Sequence, residues 1–444
     1  MKRNLVVIFI FHLFISAASA QNNLVYEPVV LSLDKIDGQY KRTEKVNVYG
    51  TLTEDITSDL VYEVKVNGQI FQKATPIKLT KGERTIVHSA SWDQASAVQV
   101  YVYPSDNSEK KAAVGYVVNP EEFRPGFRAP RDFRSFWDKE LRMLRKSELE
   151  GSITPVTIST KLNINEEQCE LYAVKVNMHE GNPVHGYISW PKDAAPGTLP
   201  IVICLHGAGV SRSDAAKAVE WASKGVIAID INAHGYPDDQ PLSYYDSLKT
   251  GELKDYRNRK ITDHKSFYFR LMYLRAVRAL DYASTFPLWD GKRIMSVGGS
   301  QGGAQAIAVA AIDKRVGAVY AHVPAMTDVA GHLAGHRGGW PYYASQMKTG
   351  DNLEAEMSVL PYYDGAIMLQ HTTAKLWIES GLIDNVCSPE CVISAFNVAV
   401  SKDKTLYTFP YRPHSDSNID LRFRDDWKAM IDDRRMEEIL EWLK

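Results

Sequence analysis

Cysteine is scarce in this chain. It has four among 444 residues: Cys169, Cys204, Cys387 and Cys391. No C-x-x-C pair and no His/Cys cluster has the spacing of zinc ligands, which excludes a zinc module of the usual kinds. Cys204 lies in an apolar run and reads as a small core residue. Cys387 and Cys391 stand four apart on an expected helix, where geometry disfavours a bridge. A chain of this size does not need one. Excess charge is also missing: 52 Lys and Arg face 54 Asp and Glu, a net charge of −2. Nothing here points to nucleic acid or a strongly anionic partner. Internal repeats and low-complexity segments are absent, and beyond the first twenty residues no apolar run reaches the ~20 residues of a bilayer span.

The start of the chain reads as a cleavable secretory signal over residues 1–20. Lys2 and Arg3 supply the charged end, Leu5 to Ile15 the apolar core, and Ala18-Ser19-Ala20 the small-residue cleavage site. Cleavage would take the net charge from −2 to −4, since the segment holds Lys2 and Arg3 and no acid. No cysteine lies near the site to carry a lipid. The expected location is secreted or periplasmic, with no membrane span.

Hydrophobic content of 45% and charged content of 24% are those of a globular protein. Residues 21–118 read as an all-β domain. Val46 to Tyr49, Leu60 to Val66, Arg84 to Trp92 and Val98 to Tyr103 are strand-like, with turn signals such as Asn67-Gly68 and Lys81-Gly82 between them. Six or seven short strands predict an immunoglobulin-like sandwich. It carries no catalytic constellation, so it binds carbohydrate, mediates assembly or caps the next domain. Residues 119–131, with Pro120, Pro125, Gly126 and Pro130, form a linker. Residues 132–444 form the second domain. Phe133, Phe136, Trp137, Leu141 and Leu144 recur at helical intervals. Strands are then expected at 156–162, 170–176, 184–190, 200–205, 226–231, 293–297, 317–323, 375–379 and 404–409. Helices are expected at 213–224, 267–286, 302–312, 389–401 and 426–443. The early strands have no helix between them and predict an antiparallel edge. The later alternation predicts a parallel sheet with helices on both faces. The fold class is therefore α/β.

Gly298-Gly299-Ser300-Gln301-Gly302-Gly303 follows the strand Arg293 to Val297 and precedes the Ala-rich run to Ile312. This is a G-x-S-x-G nucleophile elbow in a strand–turn–helix setting. A serine needs a positioned base, and here the chain order is nucleophile, acid, histidine. The strand Lys375 to Gly381 exits through Leu382-Ile383-Asp384, and the last strand, Thr405 to Pro410, is followed by one histidine, His414. Ser300 is thus the expected nucleophile, His414 the base and Asp384 its orienting acid. Glu379 is the competing acid, but its position within a strand points it away from the loop rim. Leu205-His206-Gly207-Ala208-Gly209 resembles an H-G-x-G oxyanion loop, so the backbone N–H groups of Ala208 and Gln301 are the expected donors. His206 is expected to brace that loop. His332 and His336 are spaced as in H-E-x-x-H but lack the glutamate, which favours ordinary loop histidines over zinc. Trp340 and Tyr342 are candidate walls of a sugar-binding cleft, with core packing as the alternative.

Tyr268-Phe269-Arg270, Arg278 to Tyr282, Asp290 to Ile294 and the elbow together resemble the acetyl xylan esterase / cephalosporin-C deacetylase family. So do Pro130 with Phe136-Trp137, and Gly381-Leu382-Ile383-Asp384 followed by Cys387. The resemblance runs from about residue 120 to 444. It implies an α/β-hydrolase fold, removal of small acyl groups from sugars and related alcohols, a triad on Ser300, Asp384 and His414, no metal and no cofactor. The family is often oligomeric, so a homo-oligomer is compatible with it. The chain departs from the family at Pro413, where glycine is usual, at Ala208, where an aromatic is usual, and at Cys387 to Cys391. These positions ring the mouth of the site and bear on substrate more than on reaction. Two rival readings are a peptidase or amidase on the same fold and a non-catalytic glycan-binding protein.

Overall fold

The computed structural model describes residues 24–156, 168–343 and 353–444. Residues 1–20, expected to be an export signal, and most of the strand expected at 156–162 lie outside the described residues. Among the described residues no helix is long and apolar enough to cross a membrane.

Eight strands come first: β1 (Val29–Ser32), β2 (Gln39–Tyr40), β3 (Val46–Leu52), β4 (Leu60–Val66), β5 (Gln69–Ile77), β6 (Thr85–Ala90), β7 (Ser96–Pro104) and β8 (Ala112–Val118). They form one sheet of order β1-β3-β6 and a second of order β2-β8-β7-β4-β5. Val46 and Val48 from the first sheet pack in one apolar cluster with Val98, Val100, Val102, Val114 and Tyr116 from the second. β2 spans only two residues, too few for alternation to reveal in sequence.

The second set is β9 (Gly151–Pro155), β10 (Cys169–Val176), β11 (Val184–Pro191), β12 (Leu199–Leu205), β13 (Ile227–Ile231), β14 (Trp289–Gly299), β15 (Ala318–His322), β16 (Lys375–Gly381) and β17 (Lys404–Phe409). These make one nine-stranded mixed sheet, in the order β17-β16-β15-β14-β12-β13-β11-β10-β9. β9, β10 and β11 pair antiparallel, and β12 to β17 pair parallel. A continuous apolar run such as Leu199–Leu205 is what a strand covered on both faces requires. Ile201, Ile203 and Leu205 join the core beneath the helices Tyr268–Ala283 and Gln301–Ile312, whereas Val202 and Cys204 join the core beneath the helix Ala215–Ala222.

Two local expectations need correction. Cys387 precedes the helix Pro389–Asn397 rather than lying on it, because Pro389 opens that helix. The helix expected at 426–443 is broken into Leu421–Trp427, a π-helical turn Lys428–Asp432, and Asp433–Leu443. Trp427 and Arg435 are eight residues apart, about 80° round an ideal α-helix. The wider turn brings both side chains onto Glu379.

Candidate active site

Ser300, Asp384, His414 and the Leu205 to Gly209 loop sit at or past the C-terminal ends of parallel strands, where an open α/β sheet places its sites. At the end of β14 the chain reverses sharply. Ser300 has φ 55° and ψ −124°, a conformation rarely adopted by residues with a side chain, and Gln301 starts the next helix. The turn has no room for neighbouring side chains. A Cβ on Gly299 would lie 2.1 Å from His322 Cε1, and one on Gly302 would lie 2.0 Å from the Leu205 carbonyl oxygen. Ser300 N–H donates to the His322 carbonyl at 3.1 Å.

His414 lies in the loop after β17. Its Nδ1 donates to Asp384 Oδ2 at 2.8 Å, and its Nε2 lies 3.0 Å from Ser300 Oγ. The carboxylate acceptor fixes the proton on Nδ1 and leaves Nε2 free to accept from the serine hydroxyl. Asp384 follows β16 and is fully buried. Its other oxygen accepts from the N–H groups of Val386 (2.7 Å) and Cys387 (2.9 Å), so both oxygens are engaged and the carboxylate cannot swing away. Cys387 packs into the same corner: one ligand atom each from Asp384, Cys387 and His414 falls within 4.8 Å of the others. Burial pushes its thiol up, which keeps it protonated.

Glu379 is placed elsewhere. It is fully buried and accepts from Arg412, from Arg435 (3.1 Å), from Trp427 Nε1 (3.1 Å) and from Tyr320 (3.2 Å). Burial alone would raise its carboxyl, but Arg412 and Arg435 outweigh that and hold it at about 2. It therefore anchors Arg412, two residues before His414.

The loop Leu205 to Gly209 leans over the serine; a Cβ on Gly207 would sit 3.9 Å from Ser300 Cβ. His206 braces it: Nε2 accepts from Ala233 N–H at 3.0 Å, and Nδ1 lies 2.9 Å from the Gly207 carbonyl. Two further braces escape the sequence reading. His234 bonds the Gly209 carbonyl at 2.9 Å and the Tyr268 hydroxyl at 2.8 Å, and burial lowers its imidazole to about 3. Tyr256 donates to Gln301 Oε1 at 2.5 Å. The available signal was positional, because His234 follows the end of β13. Ala208 lies in the braced loop, and Gln301, as the first helical residue, has an N–H without an intrahelical acceptor.

Trp340 is buried, with the Arg257 guanidinium 5.3 Å from its ring centroid. Tyr342 is half-buried, and its hydroxyl is shared between the carbonyls of Asn385 (2.8 Å) and Val386 (2.7 Å), just past Asp384. His336 is buried. Its Nε2 lies 3.2 Å from Asp328 Oδ2, and its Nδ1 lies 3.0 Å from the Arg337 carbonyl.

The sequence model of the acetyl xylan esterase family (AXE1) matches residues 119–426. The acetyl esterase Axe7A of Xylanibacter ruminicola is 27% identical over 363 residues, covering 80% of this chain and 79% of that protein. Two solved structures share the fold. The acetyl xylan esterase from Paenibacillus sp. R4 superposes with a TM-score of 0.60 at 24% identity, over 73% of this chain and 98% of that one. Acetyl xylan esterase 1 from Thermoanaerobacterium sp. JW/SL YS485 gives 0.59 at 21%, with the same coverage. With more than half of the chain matched by one family and an esterase fold beneath it, this protein belongs to the acetyl xylan esterase family and is a carboxylic ester hydrolase.

Proposed function

We propose that this enzyme removes O-acetyl groups from carbohydrates through an acyl-enzyme on Ser300. The observation that carries the reading is His414, which bridges Asp384 at 2.8 Å and Ser300 Oγ at 3.0 Å. In this reading His414 Nε2 takes the hydroxyl proton as Ser300 Oγ attacks the acetyl carbonyl. The N–H groups of Ala208 and Gln301 receive the oxyanion, each worth ~3 kcal/mol of transition-state stabilisation by analogy with other oxyanion donors. His414 then returns the proton to the departing sugar oxygen, leaving acetyl-Ser300. Water, deprotonated by the same nitrogen, attacks that ester and releases acetate. Asp384 holds the imidazole in its working tautomer and stabilises the imidazolium between the two transfers.

Residues 132–444 form an α/β-hydrolase domain in this reading. Residues 21–118 form an immunoglobulin-like sandwich ahead of a linker at 119–131. Trp340 and Tyr342 line the approach to the serine. The first twenty residues direct export, where polymeric glycans are met. The test is acetate release from acetylated xylan, acetylated pectin, a peracetylated monosaccharide and cephalosporin C, each beside Ser300→Ala. Release that depends on Ser300 supports the reading and identifies the substrate class. Equal release by Ser300→Ala, or none from any substrate, overturns it.

A further inference from the structure

Strands β7 and β8 are buried along their whole length. A sandwich strand ordinarily buries one face, so something covers the other. Val98, Val100, Val102, Val114 and Tyr116 face the first sheet. The alternate residues face the loop that carries Asp384. Ala97 and Val117 cluster with Leu382, while Tyr101, Tyr103 and Ala113 cluster with Ile383. Polar contacts follow the same line. Gln99 Nε2 donates to the Leu382 carbonyl at 3.2 Å, and the Tyr101 hydroxyl bonds Gln99 Oε1 at 2.8 Å and the Asn385 side chain at 3.1 Å. Gly115 N–H donates to the Pro410 carbonyl at 2.9 Å, at the start of the His414 loop. A Cβ on Gly115 would fall 2.2 Å from the Leu382 carbonyl oxygen. The two loops are also tied to each other, through Ile383 N–H to the Arg412 carbonyl at 3.3 Å.

We infer that Gln99 and Tyr101 of the N-terminal sheet are positioning residues for the reaction, setting the Asp384 loop and through it His414. The N-terminal region is in this sense a working part of the active site. The inference rests on the triad reading above. A carboxylate displaced by a fraction of an ångström misdirects the imidazole, while Tyr342 beside the same loop keeps its bond to the Val386 carbonyl. The cost should therefore fall on turnover rather than on binding.

The test compares Gln99→Met, which keeps the length and removes the donor, Tyr101→Phe, which removes only the hydroxyl, and the pair together. Turnover is expressed per serine titrated with a fluorophosphonate, so that any misfolded fraction drops out. Each single change is expected to lower kcat about tenfold, and the pair, whose side chains share a hydrogen bond, by clearly less than the hundredfold of independent sites, with KM unchanged. The rate of phosphonylation should fall in parallel. Tyr62→Phe, in the same sheet with its hydroxyl paired to Gln72, should match the unmodified enzyme. A kcat within twofold of the unmodified enzyme for both single variants, or a loss that lies in KM, overturns the inference. Retained turnover in Ser300→Ala would instead remove the triad reading beneath it.

Discussion

Glu379 shows how a buried carboxylate can brace a candidate active site from within the sheet. It is a carboxylate at the core of the sheet, neutralised by Arg412 and Arg435, and Arg412 leads straight into His414. Removing one charge of such a group strands the others in a medium that solvates them poorly. Glu379→Gln should lower unfolding free energy by ~3–5 kcal/mol, measured by urea denaturation. Its carboxyl sits at about 2 in the folded chain against an ordinary 4.5. Its contribution is therefore complete above 4.5 and is lost as pH falls from 4.5 toward 2; the denaturation midpoint should drop across that window, and the Gln variant should drop less. At this scale the sequence was informative where chain order is diagnostic. Ser300, Asp384 and His414 each follow a strand that apolar patterning reveals. His234 and Tyr256 were not legible, because a brace is defined by what it touches across the fold and carries no motif of its own.

Among the elements, the loop 323–343 between β15 and the later helices is held by buried charge. His336 donates toward Asp328 and toward backbone carbonyls from both ring nitrogens, an arrangement that needs the imidazolium. Burial opposes that charge, but the bond to Asp328 wins and lifts the group from 6.5 to about 9. A group whose folded value is raised stabilises fully below its unfolded value and loses that effect as pH rises through the folded one. The melting temperature should therefore decline between pH 6.5 and 9, and His336→Gln should flatten that slope. The expected elements that were found, β10 to β17 and the helices Ala215–Ala222, Tyr268–Ala283, Gln301–Ile312 and Pro389–Asn397, have strong apolar runs. Those missed or misdrawn include β9, the π-helical turn and the short helices Leu242–Thr250, Leu353–Val359 and Gly365–Met368. Two of them are set by tertiary partners: β9 by pairing with β10, and the π-helical turn by the need to reach Glu379.

For the whole molecule, the central fact is that the two N-terminal sheets and the nine-stranded sheet share one apolar cluster, in which Val29, Val100 and Tyr116 join Trp377, Phe409 and Tyr411. Deleting residues 24–118 would bare Leu382, Ile383 and Tyr411, now buried against the N-terminal sheets, and newly exposed apolar clusters favour association. The truncated chain is expected to be insoluble or inactive, as measured by soluble yield and by ester turnover in the supernatant. A soluble truncation with full turnover would contradict this. The alternation in Ser96–Pro104 held the clue. Its valines mark one covered face, and the Ala97, Gln99, Tyr101 and Tyr103 set is too short of charge for a face open to water. What the sequence did not carry was the identity of the covering surface, which comes from loops almost 300 residues downstream.

The close seat of Gly115 on the Leu382 carbonyl also limits how this protein can be recombined. A hybrid joined within residues 119–131, taking everything before the join from a distant relative, would exchange one side of the wall behind Asp384. Position 115 and the turn at 382 have to descend together, and breeding schemes that shuffle the two parts freely should recover active offspring mainly from parents that match at both.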